Sequence, residues 1–182
     1  EHADTQGGIG IVQAKREAAA VADEVQQLRG QVLVVEETLL LESFALYLPK
    51  FKLTSTAEYK VRLDQTREKQ KAMVKAGTAA SGNMEWTVNG KKSEGKKMVA
   101  DTMKLVLRSF NNECDFCVDN VKFDNVELGE KRIRQSFEAC NKLGRVMNLE
   151  ISAAYMQLKV DELHLVHEFQ IKRQEEKEDA KR

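Results

Sequence analysis

Proline occurs once in this chain, at Pro49, and that scarcity constrains the fold more than any other feature. Sandwiches and barrels turn many corners and place glycine or proline at most of them. One Pro and ten Gly in 182 residues are too few for that, so most of the chain is left to run in helices. The spacing of apolar residues agrees. The expected fold class is mainly α: a helical domain with at most a short β-hairpin or small strands, and long N- and C-terminal helices.

Residues 1–10 hold three Gly and little apolar content, and read as a disordered lead-in. An N-terminal helix follows over 11–30, with Val12, Ala18, Val21, Val25 and Leu28 at helical intervals and Gly30 placed for a left-handed cap. A helical core domain is expected over 31–170. Within it, Val32–Val35 favours a short strand, and Leu39, Leu40, Phe44 and Tyr47 suggest a buried helix that Pro49 stops. Ser55-Thr56-Ala57-Glu58 is a capping box, opening a helix with Tyr59, Leu63, Thr66, Met73 and Val74 as its apolar stripe. Met84–Val88 suits a strand, and Asn89-Gly90 is a tight-turn signal. A helix from Ser93 has Met98, Met103, Val106, Leu107 and Phe110 as its core side. Asp124 with Glu127 marks another start, leading to Val126, Ile133, Phe137, Cys140 and Met147. Ser152 caps the last helix, with Tyr155, Leu158, Leu163, Val166 and Phe169 inward. Beyond Ile171 only charged and small residues remain, so 171–182 reads as the start of a charged connector helix. With Glu1 at one end and this charged run at the other, the chain reads as a piece of a longer protein.

The formal charge is zero, with 29 basic and 29 acidic residues, but it is unevenly placed. Residues 1–49 carry three basic and eight acidic groups, whereas residues 50–109 carry fourteen basic and six acidic groups. A basic middle segment suits phosphates or an acidic partner, although a solvated helix face accounts for much of it. Three Cys is an odd count that argues against a disulfide framework. The most apolar stretch, 32–48, is broken by Glu36, Glu37 and Glu42 and does not read as a bilayer span.

Three strings carry possible chemistry. Cys114 and Cys117 are three apart, as are His164 and His167, so each pair shares a helix face and four zinc ligands are conceivable. Zinc thiols ordinarily sit in a knuckle, whereas this C-x-x-C interrupts a helical pattern. Two packed thiols and two separately satisfied imidazoles are the stronger reading, and no metal site is assigned. Gly90-Lys91-Lys92-Ser93-Glu94-Gly95-Lys96-Lys97 imitates a phosphate loop but has Lys97 where magnesium binding needs a hydroxyl. Its free amides suit an anion at most. Arg108, Asn111, Glu113, Cys114 and Asp115 form a dense polar group whose simplest use is a helix-end network. No catalytic set stands out.

Taken in order, several strings resemble the domain-of-unknown-function family 4041. They are Glu85-Trp86-Thr87-Val88-Asn89-Gly90, then Gly95, then Leu107-Arg108-Ser109-Phe110-Asn111-Asn112-Glu113-Cys114-Asp115. Ser43-Phe44, Tyr47-Leu48-Pro49-Lys50, Tyr59–Leu63, Ser136-Phe137, Asn141–Gly144 and Glu162–Leu165 extend the likeness from Val32 to the C-terminus. The resemblance implies a bacterial or phage protein in which this domain precedes a GIY-YIG-type nuclease, joined by a charged helix, with an antiphage role. This fragment would then be a non-catalytic sensing or regulatory interaction domain of that nuclease. The alternative is a DNA-binding module that guides nucleic acid to it. The signature offers Trp86, Asn89, Gly90, Arg108, Asn111 and Asp115 as binding residues; the alternative offers Lys60, Arg62, Lys71, Lys91, Lys92, Lys96 and Lys97. Cys117 departs from the family pattern, which further weakens the zinc reading. No cofactor is expected in this fragment, and a divalent metal is expected in the absent nuclease domain. Expected partners are a phage protein or a host membrane protein, with DNA and a second copy of the chain, met through its helices, as further candidates. The expected location is the bacterial cytoplasm, with attachment to the inner membrane through an N-terminal segment outside this chain.

Overall fold

The computed structural model describes the backbone of residues 4–43 and 47–182, and side chains at 12–33 and 47–182. It divides into two compact units, Glu1–Leu48 and Pro49–Arg182. The first is a single helix, α1 (Asp4–Ser43). The second contains α2 (Thr56–Lys75), α3 (Lys92–Asp119), α4 (Val126–Gly144) and α5 (Ala153–Asp179), with a two-stranded sheet of β1 (Ala80–Ser81) and β2 (Glu150–Ile151). This is the mainly α fold expected.

In the first unit, helix replaces three expected features. The lead-in is helical from Asp4, Gly30 lies inside the helix instead of capping it, and Val32–Val35 is helical instead of extended. Each interior Gly costs ~1 kcal/mol relative to Ala, and β-branched residues cost less. Propagation from an Ala-rich run, once nucleated, outweighs those terms. Residues 12–33 are exposed throughout. The expected burial of Leu39, Leu40 and Phe44 lies outside the described residues.

The second unit is built around α5, which packs against α2, α3 and α4. Ser152 starts it by accepting the Tyr155 amide at 3.1 Å. Phe110 (α3), Ile133 (α4) and Leu163 (α5) are fully buried at the centre, with the Phe110 ring 6.2 Å from Phe137 and 6.4 Å from Tyr155. At α2 the capping box is shifted: Ser55 accepts the Glu58 amide, but the Glu58 carboxylate turns to the Thr54 amide and hydroxyl at 2.9 and 2.8 Å. At α4, Asn125, not Asp124, is the cap residue, and its side chain organises the preceding turn by accepting the Lys122 amide at 2.6 Å. The core side of α3 runs through Gly95, Val99, Phe110, Cys114 and Cys117, which leaves Met98 exposed.

The expected strand at Met84–Val88 does not form. Only Val88 pairs, with Lys91, closing a two-residue turn at Asn89 and Gly90, whose φ values are +50° and +77°. That pair of positive φ angles is what a type I′ turn requires. The sheet instead joins distant segments, with Ala80 opposite Ile151 and Ser81 opposite Glu150. Among the described residues, no helix is long and apolar enough to cross a membrane.

Candidate functional site

The feature that sets this fold apart is a row of buried polar side chains along α5. A helix covered on one side would bury one stripe and leave its charged residues wet. Here three helices and a loop cover α5, so Lys159, Glu162, His164, His167 and Glu168 are all buried. A buried ionised group persists only when paired or fully hydrogen-bonded, and each of these reaches a different neighbour.

Toward α2, Glu162 accepts from Arg67 Nε at 2.7 Å and Gln70 Nε2 at 2.8 Å. Two turns on, Glu168 accepts from the backbone amides of Lys50 (2.5 Å) and Phe51 (3.1 Å) and from the Tyr59 hydroxyl (3.0 Å). That hydroxyl in turn accepts the Leu53 amide at 3.1 Å. Burial, with Glu168 beside it adding, pushes the Tyr59 phenol up to about 12. Near the end of α5, Glu176 accepts the Thr56 amide and hydroxyl at 2.9 and 2.8 Å. Glu162, Glu168 and Glu176 of α5 therefore hold segment 50–53 and both the start and the second half of α2.

Toward α3, the Tyr155 hydroxyl donates to Asn111 Oδ1 at 2.9 Å, and Lys159 Nζ meets Asp115 Oδ1 at 3.3 Å. Toward α4, His164 Nε2 lies 2.5 Å from Glu130 Oε2, while Arg134 grips Oε1 at 2.6 and 2.8 Å. The His164 hydrogen bond, with Arg134 adding, holds Glu130 at about 2. His167 Nε2 lies 3.1 Å from the Phe123 carbonyl. A carbonyl only accepts, so that nitrogen carries the proton. Burial lowers the pKa of this imidazole.

Of the residues expected to bind, Asn111 and Asp115 thus meet α5, and the exposed Arg108 lies one turn before them on α3. Trp86, Asn89 and Gly90 belong elsewhere, in the turn that enters α3. Lys92 to Arg108 is about 24 Å of helix at 1.5 Å per residue, so the signature describes two places. Its first half is explained by construction: a Cβ on Gly95 would collide with the Trp86 carbonyl, so glycine lets the Trp86–Thr87 backbone lie on α3.

The basic set is also dispersed. Lys71, Lys91 and Lys92 pair with Glu68, Glu94 and Glu85, and Lys60 and Arg62 sit over the rings of Phe169 and Phe51. Lys96 and Lys97 are exposed on the first turns of α3. The two imidazoles weighed as zinc ligands turn to different partners, Glu130 and the Phe123 carbonyl, and Cys114 and Cys117 lie on one unbroken helix. Among the described residues, no group of three or more His, Cys, Asp or Glu could hold a metal ion.

Several hollows lie beside this framework, among them two of note. One of about 940 Å³, lined by Phe137, Glu138, Asn141, Lys142, Arg145 and Glu150, opens between α4 and β2. The other, about 500 Å³, lies where α5 leaves the core, between Phe123 and Ile171. Of this buried row only His164 and His167 stand out in the sequence, as separately satisfied imidazoles; Lys159, Glu162 and Glu168 carry no local mark of burial. The detectable signal was the mixing of Leu163, Leu165 and Val166 with His164 and His167, which fills every side of one helical turn.

A family model described as "SNIPE associated domain" matches residues 56–174, from the start of α2 through most of α5. No curated protein and no solved structure matches.

Proposed function

Because the chain belongs to the SNIPE associated domain family, a family associated with nucleases such as those of the GIY-YIG type, we propose that it is the non-catalytic sensing and regulatory domain of such a nuclease. The observation that carries this reading is the construction of α5. One helix receives buried polar contacts from α2, α3, α4 and the loop at Phe123, and then continues to Asp179 as an exposed charged rod. Displacing any packed neighbour must either break a buried polar contact or move α5. Each contact is buried on its α5 side, so breaking it leaves an unpaired polar group in the core, a cost that moving α5 together with its neighbour avoids. A partner that seats on the domain therefore has a mechanical route to whatever follows α5. The partner is a phage protein or a host membrane protein, and the setting is a bacterial defence at the inner membrane.

The test uses the parent protein with its nuclease attached. Glu162→Gln should change DNA cleavage, either basal or phage-triggered, while circular dichroism shows the domain still folded. Cleavage and phage restriction both identical to the unsubstituted protein would remove the regulatory reading.

The second reading, a DNA guide, draws support from the four exposed lysines 91, 92, 96 and 97 around the start of α3. Binding to a duplex measured by fluorescence anisotropy should then weaken steeply with salt. Binding that is absent at low salt would exclude it.

A further inference from the structure

The first unit carries a feature that the regulatory reading does not use. Along α1, Ala14, Ala18, Val21, Val25, Leu28 and Val32 follow one another at alternating spacings of four and three residues. The sequence keeps the same register outward, with Ile11 before and Val35 and Leu39 after. Nine successive apolar positions on a strict seven-residue repeat, over four heptads, are the mark of a coiled-coil seam. An ordinary core-facing helix drifts at 3.6 residues and shows a wider stripe.

Among the described residues that seam is uncovered. Val21, Val25, Leu28 and Val32 are 58%, 41%, 52% and 54% exposed. Helices of this kind derive most of their stability from packing an apolar face, so a helix whose seam lies in water over residues 12–33 is half of a structure. Gly30 falls on the outermost heptad position, where a Cβ would meet nothing within 4 Å. A glycine that breaks no contact belongs on the outside of a coil.

We propose that α1 is one strand of a parallel two-stranded coiled coil whose other strand is α1 of a second copy of this chain. The flanking charges identify the partner. With Val25 and Val32 at position a and Leu28 at d, Glu24 occupies g and Arg29 occupies e of the next heptad. In a parallel homodimer g faces the e position five residues on, so Glu24 of each copy meets Arg29 of the other. The other g–e pairs, Gly10 with Lys15, Glu17 with Ala22, Gln31 with Glu36 and Thr38 with Ser43, set no like charges together. An antiparallel pairing brings g against g, and hence Glu17 and Glu24 against one another. At the centre of the seam Val25 and Val32 at a flank Leu28 at d, the combination of β-branched a and Leu d that favours two strands. An anionic lipid surface fits less well, because residues 12–33 carry three basic and three acidic groups and lack the basic bias of surface-lying helices.

The test is sedimentation equilibrium on the whole chain. Unsubstituted protein should run at twice the 20.6 kDa chain mass. The pair Val25→Asp and Leu28→Asp should return it to one chain mass. Arg29→Glu should weaken the dimer about tenfold, because the Glu24 carboxylate of each copy then faces another carboxylate in place of a guanidinium. Adding Glu24→Arg should restore the dimer. Rescue requires the two positions to face each other in different chains, which a merely structural defect in the helix would not reproduce. Gly30→Ala should leave the mass unchanged and tighten the dimer. A single chain mass at all concentrations overturns the proposal, as does a dimer indifferent to the Val25 and Leu28 changes. A trimer or larger species overturns the two-stranded form.

Discussion

Glu168 offers the sharpest check on the buried row, because it is only 3% exposed and holds segment 50–53 to α5. In Glu168→Gln one oxygen remains to accept, and an NH₂ group replaces the other. Placed at Oε2, that group would face both the Phe51 amide and the Tyr59 hydroxyl, which now donate to that oxygen at 3.1 and 3.0 Å; placed at Oε1, it would face the Lys50 amide, which now donates at 2.5 Å. Tyr59 can reverse its hydroxyl, but a backbone amide cannot, so the Phe51 amide is left with only a 3.4 Å contact to Oε1 in the first case, and the Lys50 amide loses its acceptor in the second. A hydrogen bond to a charged group contributes about 1.5–3 kcal/mol, and a stranded buried donor costs about 1–3 kcal/mol. Relief from burying the carboxylate charge offsets part of this. The net loss should be about 2 kcal/mol, or roughly 6–10 °C in Tm for a unit of this size. Thermal unfolding followed at the helical circular dichroism band measures it. Hydrogen exchange should locate it, with the amides of Lys50, Phe51 and Leu53 losing protection while those in the middle of α5 keep theirs. Glu176→Gln is the control: it makes similar contacts to Thr56 but is exposed, and its Tm should stay within error of the unsubstituted protein. Equal Tm values for the two variants, or a uniform loss of protection, would refute the argument that burial gives Glu168 its weight.

Three further outcomes follow from the same packing. Gly95→Ala places a methyl against the Trp86 carbonyl, so despite a helix-propensity gain of ~1 kcal/mol it should lower stability in thermal denaturation, by about 1–3 kcal/mol for overpacking. Glu130 has a folded pKa of about 2 against an ordinary 4.5, so its contribution is complete above about pH 4.5 and is lost as pH falls toward 2. Tm should decline over that window, and Glu130→Gln should flatten the decline. Cys114, Cys117 and Cys140 are buried free thiols whose ionisation burial pushes upward, so a thiol reagent at pH 8 should modify none of them until denaturant is added. Fast modification of Cys114 in the native protein would contradict the packing of α3 in the core.

What the sequence determined by itself is whatever depends on residues within about a turn of one another. Ser55 and Ser152 cap their helices because a hydroxyl at that position reaches an amide three residues on. Asn89 and Gly90 make their turn because both tolerate positive φ. The helical class followed from the scarcity of breakers and the periodicity of apolar residues. Where neighbouring signals competed, the local reading went astray: Gly30 and Val32–Val35 were overruled by the helix propagating through them. The tertiary structure alone decided which charges are buried. Glu168 looks like any surface glutamate until Tyr59, 109 residues away, arrives beside it, and Lys159 and His164 wait on partners 44 and 34 residues away. The same holds for β1 and β2, whose four residues are too few to announce a strand and pair only because the packed helices bring them together. Propensity and capping are short-range and written in the neighbouring letters. The burial of a carboxylate is the sum of everything packed around it, and that sum exists only once the chain has folded.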